Sequence, residues 1–338
     1  MKIGFLVSVT VIMVVGLGSL VAAGQSVSEG WTVPRTADGR PDLQGVWANN
    51  NVTPLERPEQ WLDKDRLTDE ELAELKVAAA LVVESGLDAQ FGDQLVLKAL
   101  AGLTDADSYD TTGNYNQFWL VERDFTNQTS LVVDPPEGRV PALTLGGRQR
   151  AEAAAAYREE HPADGPEDRP LGERCANFGV PRLGAGYNSY LQIFQTTGHV
   201  ALLKEMAHDV KLIPLDERSH VPETVRQWNG DSRGRWDGDT LVVETGNFSN
   251  KSNFRGSTDG LHLVERYTRV GPETLAYEVT ITDSSVWVQP WTVSIPLRYS
   301  PDPIFEYACH EGNYGMEGIL AGHRAEERAV MQGATESH

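Results

Sequence analysis

The run Arg235-Trp236-Asp237-Gly238-Asp239-Thr240-Leu241-Val242-Val243 decides the fold class. It holds Asp-Gly ahead of a β-branched run, and that pair supplies the φ > 0 residues of a tight hairpin turn. The same rhythm continues outward. Leu261 to Val270, Thr274 to Asp283, Trp291 to Tyr299 and Ile304 to His310 read as strands. Gly271-Pro272, Asp283-Ser284 and Ser300-Pro301-Asp302 supply the turns between them. Upstream, Tyr190 to Thr196 and His199 to Leu215 carry alternating apolar residues, with Gly198 between them as a turn signal. Short strands joined by short turns imply an antiparallel meander, which closes as a barrel or packs as a sandwich.

The half before Tyr187 has another character. Gly30 to Pro58 is rich in Pro, Asn, Asp and Gly and reads as an extended arm, with Gln44-Gly45-Val46-Trp47 its strand-like piece. Thr68 and Glu71 form a capping box, and Leu72, Leu75, Ala79 and Val82 follow at helical spacing up to a stop at Gly86. A second helix is expected within 88–103. Phe118 to Val121 and Ser130 to Val133 read as short strands, and Pro135-Pro136 ends the latter. Thr144 to Glu160 and Ile319 to Met331 read as helices, and His161 to Pro170 as the loop that best marks an internal boundary. The expected organisation is a segment 1–23, an N-terminal part 24–170 and a β body 171–338, the last two forming one compound domain. The fold class is α+β, mainly β: a barrel-like antiparallel C-terminal sheet with helices and an arm around it.

The chain has 338 residues, with 29 Lys+Arg against 49 Asp+Glu and a formal net charge of -20. Such a field repels phosphate backbones and anionic lipid heads, which excludes nucleic acid as a main partner. Met1-Lys2 precedes an apolar run from Ile3 to Ala23, and Val21-Ala22-Ala23 offers small residues for cleavage. This is the pattern of a secretory signal peptide, with an uncleaved anchor as the alternative. Export to the periplasm or medium places Cys175 and Cys309 in oxidising surroundings, where they are expected to pair; two buried free thiols are the alternative.

Several motifs carry a resemblance. Pro41-Asp42-Leu43-Gln44-Gly45-Val46-Trp47, Thr53-Pro54-Leu55-Glu56-Arg57-Pro58 and the stretch Gly165 to Cys175 resemble an uncharacterised family of exported bacterial proteins. So do Gly230 to Gly234, Leu261 to Arg266 and Tyr307 to Tyr314. The resemblance spans nearly all of the mature chain and implies export but no activity. Separately, Arg235 to Asp283 is similar in strand-turn rhythm to lipocalin-like (calycin) barrels.

Among motifs for chemistry, Gly230-Asp231-Ser232-Arg233-Gly234 fits the nucleophile-elbow spacing but lacks the strand before it and the helix after it. A polar loop is the plainer reading. The histidines are more informative. On the strands as read, Lys204, Met206 and His208 share a face opposite Glu205, Ala207 and Asp209. His262, Val264 and Arg266 lie opposite Leu263, Glu265 and Tyr267; Glu306 and His310 lie opposite Tyr307, Cys309 and Glu311. Neither face of these strands is cleanly apolar, which fits a cavity lined by ionisable groups. A cavity that brings His208, His262 or His310 beside Glu205, Glu265 or Glu311 would supply a general base near neutral pH. Arg233, Arg255 and Arg266 would hold a carboxylate or oxyanion. Tyr190 and Trp291 belong to an aromatic set that suits a flat or cyclic apolar substrate. For each of these the competing reading is structural: a surface or hydrogen-bonded histidine, a cross-strand salt bridge, a core aromatic.

No resident cofactor is expected; a metal held by His208, Asp209, His262 and His310 is the lesser alternative, since no metal-ligand spacing occurs locally. Three functions follow as expectations. One is a cofactor-independent lyase, isomerase or hydrolase with a His/carboxylate pair. Another is a non-catalytic periplasmic binding protein for an apolar or aromatic small molecule. The last is a structural or interaction protein of the envelope.

Overall fold

The computed structural model describes residues 30–84, 92–102, 122–178, 180–251 and 254–336. The run read as a signal peptide, the Gly86 stop and the strand Phe118 to Val121 lie outside the described residues.

The deciding hairpin forms as read. β6 (Asp231–Asp237) and β7 (Thr240–Gly246) pair antiparallel with Asp237 opposite Thr240, leaving Gly238-Asp239 as a two-residue loop. Only Gly238 of that loop takes a positive φ, +60°, as the first position of a type II′ turn needs. The meander continues through β8 (His262–Arg269), β9 (Thr274–Thr282) and β10 (Trp291–Ser300). Their period-2 burial is regular. Leu263, Glu265 and Tyr267 of β8, Leu275, Tyr277, Val279 and Ile281 of β9, and Trp291, Val293, Ile295 and Leu297 of β10 are buried. Apart from Glu265, these side chains form the body of the main core.

Upstream, β3 (Tyr190–Gln195), β4 (His199–Lys204) and β5 (Val210–Pro214) form a second meander. The strand expected from His199 to Leu215 is thus two strands. A single 3-10 turn, Met206–His208, breaks it, with Ala207 at φ 61° and His208 at φ 52°. No glycine announces that turn, so the alternation reads through it. Ile304 to His310 is a further correction: it is irregular coil, and Phe305 stands 72% exposed. Its alternation packs against no sheet.

The two meanders are joined through the N-terminal arm. β1 (Gly45–Ala48) lies between β3 and β10, pairing Trp47 with Leu191 on one side and with Tyr299 on the other. The ten strands form one sheet in the order β5-β4-β3-β1-β10-β9-β8-β7-β6, with β2 (Val132–Asp134) paired beside β10. The sheet is therefore not confined to the C-terminal half. Nor is it a closed barrel: β5 and β6 remain its edges, and no ladder joins them. They still meet. A Cβ on Gly234 of β6 would lie 2.5 Å from Ile213 Cγ2 of β5 and 2.8 Å from Leu215 Cδ2. The sheet curls until its edges touch by apolar packing, without hydrogen bonding into a cylinder.

The described residues include four helices, so the class is α+β. α1 (Asp69–Glu84) starts with the capping box as read: Thr68 N–H donates to Glu71 Oε2 at 2.9 Å, and Glu71 N–H to Thr68 Oγ1 at 3.2 Å. α2 (Gln94–Ala101) packs on α1, and Leu75, Ala79, Val82, Leu95 and Val96 form a second core with Val52, Trp61 and Leu67 of the arm. α3 (Leu145–Glu160) is capped by Thr144, whose Oγ1 accepts from Gly147 N–H at 2.9 Å. α4 (Tyr314–Glu336) closes the described chain. The Cys175–Cys309 disulfide is present, with Cα atoms 5.7 Å apart. It fastens the segment ahead of β3 to the segment after β10.

Candidate functional site

The inner face of the sheet is largely apolar, and among the described residues its charged side chains gather at one place. Lys204 continues the inward phase of Val200 and Leu202 on β4, and Lys211 shares the inward phase of Ile213 on β5. Across the interior, Glu265 sits between Leu263 and Tyr267 on β8, with Tyr277 directly opposite Tyr267 on β9. Lys211 Nζ donates to Glu265 Oε2 in an ion pair whose side chains are 6% and 4% exposed. The other carboxylate oxygen accepts from Tyr267 OH at 3.0 Å and from Tyr277 OH at 3.1 Å. The two phenol rings stack with centroids 4.8 Å apart.

Each group's protonation follows from this burial. Desolvation pushes the Glu265 carboxyl up, but Lys211, Lys204 and the Tyr267 hydroxyl outweigh it and hold it below its usual value. Burial and the neighbouring carboxylate raise both phenols well above the usual tyrosine value, so both remain hydrogen-bond donors. Lys204 is different. No hydrogen bond or ion pair reaches its ammonium among the described residues. Burial first, and Lys211 second, bring it down to about 8.

Lys204, Lys211, Glu265, Tyr267 and Tyr277 line an inner cavity of about 50 Å³, together with Asn49, Arg182 and Tyr190. That is room for a few waters or for the head of a small organic molecule. A larger cavity, about 410 Å³, adjoins it. Arg182 and Gly184 line both, and Leu55, Leu131, Phe178, Pro181, Leu183 and Phe254 give the larger one apolar walls. The Arg182 guanidinium donates to Tyr187 O at 3.2 Å and Ser189 Oγ at 3.3 Å, while its Nε has no partner among the described residues. Burial lowers its pKa. Among the described residues, Asn49 Oδ1 and Asn51 Nδ2 are also buried without partners, on residues that line the inner and the outer cavity respectively. Buried polar atoms are seldom left unpaired, and Arg182, Asn49 and Asn51 each bring one to these cavities.

The residues expected from the sequence are dispersed. Glu265 is in the cavity, and Tyr190 lines it. Glu205 is buried behind it at the turn after β4; burial raises its pKa, and its Oε2 is unpartnered. His208 lies exposed on that turn, with Nδ1 accepting from Tyr307 N–H at 3.1 Å. His262 points to the outer face, where Nε2 meets Glu244 Oε1 at 2.7 Å. His310 and Glu311 are exposed in the coil after β10. The three histidines therefore do not converge: β8 turns Glu265 inward and His262 outward, while His208 and His310 stand exposed on the turn after β4 and in the coil after β10.

Arg266 pairs with Asp237 on the outer face at 3.0 Å. Arg233 is tied to Asp231 at 2.7 Å and to Ser219 O. His220 joins the same carboxylate; burial raises Asp231, but the Val221 N–H, His220 and Arg233 together hold it low. Arg255 lines the larger cavity. Trp291 is wholly buried in the core between Phe254 and Trp287. The Ser232 hydroxyl is buried against Thr245 Oγ1 at 2.9 Å, a structural bond in place of a nucleophile elbow.

The four residues considered for a metal are not gathered either. Among the described residues the His/carboxylate group close enough to hold an ion is Asp164, His323 and Glu327, at α4 and the loop before residue 170. Arg324 already spans both oxygens of Glu327 at 2.8 Å. Lys204, Lys211 and Arg182 carried one sequence signal, the inward phase of Lys204 with Val200 and Leu202. Lysine is so regularly a solvent-face residue that this phase passes unnoticed.

The fold and the cavity define a curled, open antiparallel sheet that encloses an ionisable cluster. No protein-family model and no curated protein matches the chain. Among solved structures it is similar to a "secretary abundant heat soluble (SAHS) protein" from Ramazzottius varieornatus. The identity is 13%, over 43% of this chain and 84% of that one, with a TM-score of 0.23. No helix among the described residues is long and apolar enough to cross a membrane.

Proposed function

We propose that this chain binds a small organic anion with an apolar body, the acidic head lodging at Lys204 and Arg182 and the body occupying the larger cavity. One observation carries the reading. Half-buried at the end of β4, Lys204 has no hydrogen bond or ion pair among the described residues, while the neighbouring Lys211 charge is already matched by Glu265. A cation drawn out of water without a directly bonded partner is costly unless something completes it, and a carboxylate head would do so. Arg182, with its unpartnered Nε, stands where the polar and apolar cavities join. The excess of cations over free carboxylates sets the sign of the ligand, against the acidic charge of the whole chain.

Export belongs to the same reading. The disulfide and the apolar run at Ile3 to Ala23 support a periplasmic or secreted protein that captures its ligand outside the cytoplasm. A thermal-shift screen tests the ligand class. Aromatic and alkyl carboxylates should raise the melting temperature, whereas the matching alcohols and amines should not. Ligand at one hundred times its Kd adds about 2.7 kcal/mol of stability. Lys204→Met and Arg182→Met should each weaken binding at least about tenfold, the loss of a charge-assisted hydrogen bond. Equal shifts with acids, alcohols and amines would sink the proposal.

A further inference from the structure

We infer that Lys204 is a nucleophilic amine that forms an imine with an aldehyde or ketone carrying a carboxylate. The inference rests on the ligand class proposed above and gives the inner cavity a chemistry beyond binding.

The argument starts from position. Lys204 is at the end of β4, in phase with Val200 and Leu202, and it lines the cavity. Lys211, the other interior lysine, is consumed by Glu265. A lysine acts as a nucleophile only as the free amine, and two circumstances favour that form: removal from water and a second cation close by. Both act on Lys204, through its desolvation on the cavity wall and through Lys211. The groups that act on Lys204 are Lys211 of β5 and Arg182 ahead of β3, which drive its proton off, and Glu265 of β8 and Asp209 of the following turn, which retain it. With the ammonium pKa at about 8, roughly a tenth of the side chain is uncharged at pH 7, against well under a thousandth for an exposed lysine.

The step balances. Neutral Nζ attacks the carbonyl carbon, and the C=O bond opens to a carbinolamine. The carbonyl oxygen then leaves as water, taking both amine hydrogens, and the C=N bond forms. No oxidant or reductant enters. Arg182, at the junction of the cavities, is the partner for the substrate carboxylate, so the carbonyl and the acid must be only a few bonds apart or joined by a flat ring.

The test traps the imine on the full chain. Purified protein is incubated with para-carboxybenzaldehyde and cyanoborohydride, and the reduced adduct is located by peptide mass spectrometry. A single adduct on Lys204 is expected, forming faster as pH rises toward 8. Benzaldehyde, lacking the acid, should label at least about tenfold more slowly. Lys204→Arg keeps the cation and removes the nucleophile. It should yield no adduct, with an unchanged far-ultraviolet circular dichroism spectrum and urea midpoint showing that it folds. Should that variant fail to fold, protection of Lys204 by para-methylbenzoate in the parent chain gives the same answer.

Label spread over the surface lysines overturns the inference, as does undiminished labelling of a folded Lys204→Arg chain. Binding of para-methylbenzoate without labelling of Lys204 removes the imine and leaves the binding reading intact. Labelling of Lys204 without such binding removes the binding reading and leaves the reactive amine.

Discussion

Replacing Glu265 by glutamine tests the interior ion pair, because it preserves the side chain's shape and removes its charge. The amide oxygen can still accept from Tyr267 and Tyr277. What disappears is the counter-ion of Lys211, whose side chain is only 6% exposed. Breaking a buried pair by deleting one charge costs about 3–5 kcal/mol. Glu265→Gln should therefore lose about 4 kcal/mol at pH 7, read by urea denaturation followed through tryptophan fluorescence. The double variant Lys211→Met, Glu265→Leu removes both charges and should recover to within about 1 kcal/mol of the parent. A loss below about 1 kcal/mol at pH 7 would show that the pair is solvated and that the cavity's charge balance has been misread.

Three further outcomes are expected. Lys204 has a folded pKa lowered to about 8, so between pH 8 and about 10 the unfolded chain holds a proton that the folded chain has shed. Stability should rise with pH across that window, by at most about 1.4 kcal/mol per unit, and Lys204→Met should flatten the slope. Gly234→Val drives a side chain into Ile213 at the seam between β5 and β6 and should cost about 1–3 kcal/mol in chemical denaturation, whereas the same change at Gly238, which has open space around it, should strain only the turn. Reduction of Cys175–Cys309, which closes a separation of 134 residues, should cost about 2–5 kcal/mol; it should also weaken carboxylate binding, since Phe178, Pro181 and Arg182 follow Cys175 along the cavity wall.

The C-terminal meander was legible because its strands bury every second side chain and its turns contain Gly, Pro or Asp. The capping box at Thr68 was legible for a similar reason: it is a local pair of hydrogen bonds between residues three apart. What escaped the sequence is non-local. The turn after Lys204 uses Ala207 and His208 at positive φ, where a glycine would have signalled the break. The open seam depends on how far the sheet curls, which no strand records by itself. The histidines gave a chemically sensible but spatially wrong grouping, since His262 and Glu265 sit three residues apart on a strand and so face opposite ways. The interior lysines were discounted by their usual habit. Their alternation with Val200, Leu202 and Ile213 was in view but meant little until the facing Glu265 was known.

The placement of β1 has a consequence for how the chain comes to be. Its four residues are among the earliest of the described chain to be synthesised, yet they pair with strands near residues 190 and 300. The centre of the sheet cannot be assembled until almost the whole polypeptide exists. Such distant pairings are slow to find, because loop closure must precede any reward. The same logic makes the arm a keystone. Trimming it back past Ala48 would part the β3–β5 meander from the β6–β10 meander and expose two fresh edges where neighbouring molecules could add their own strands.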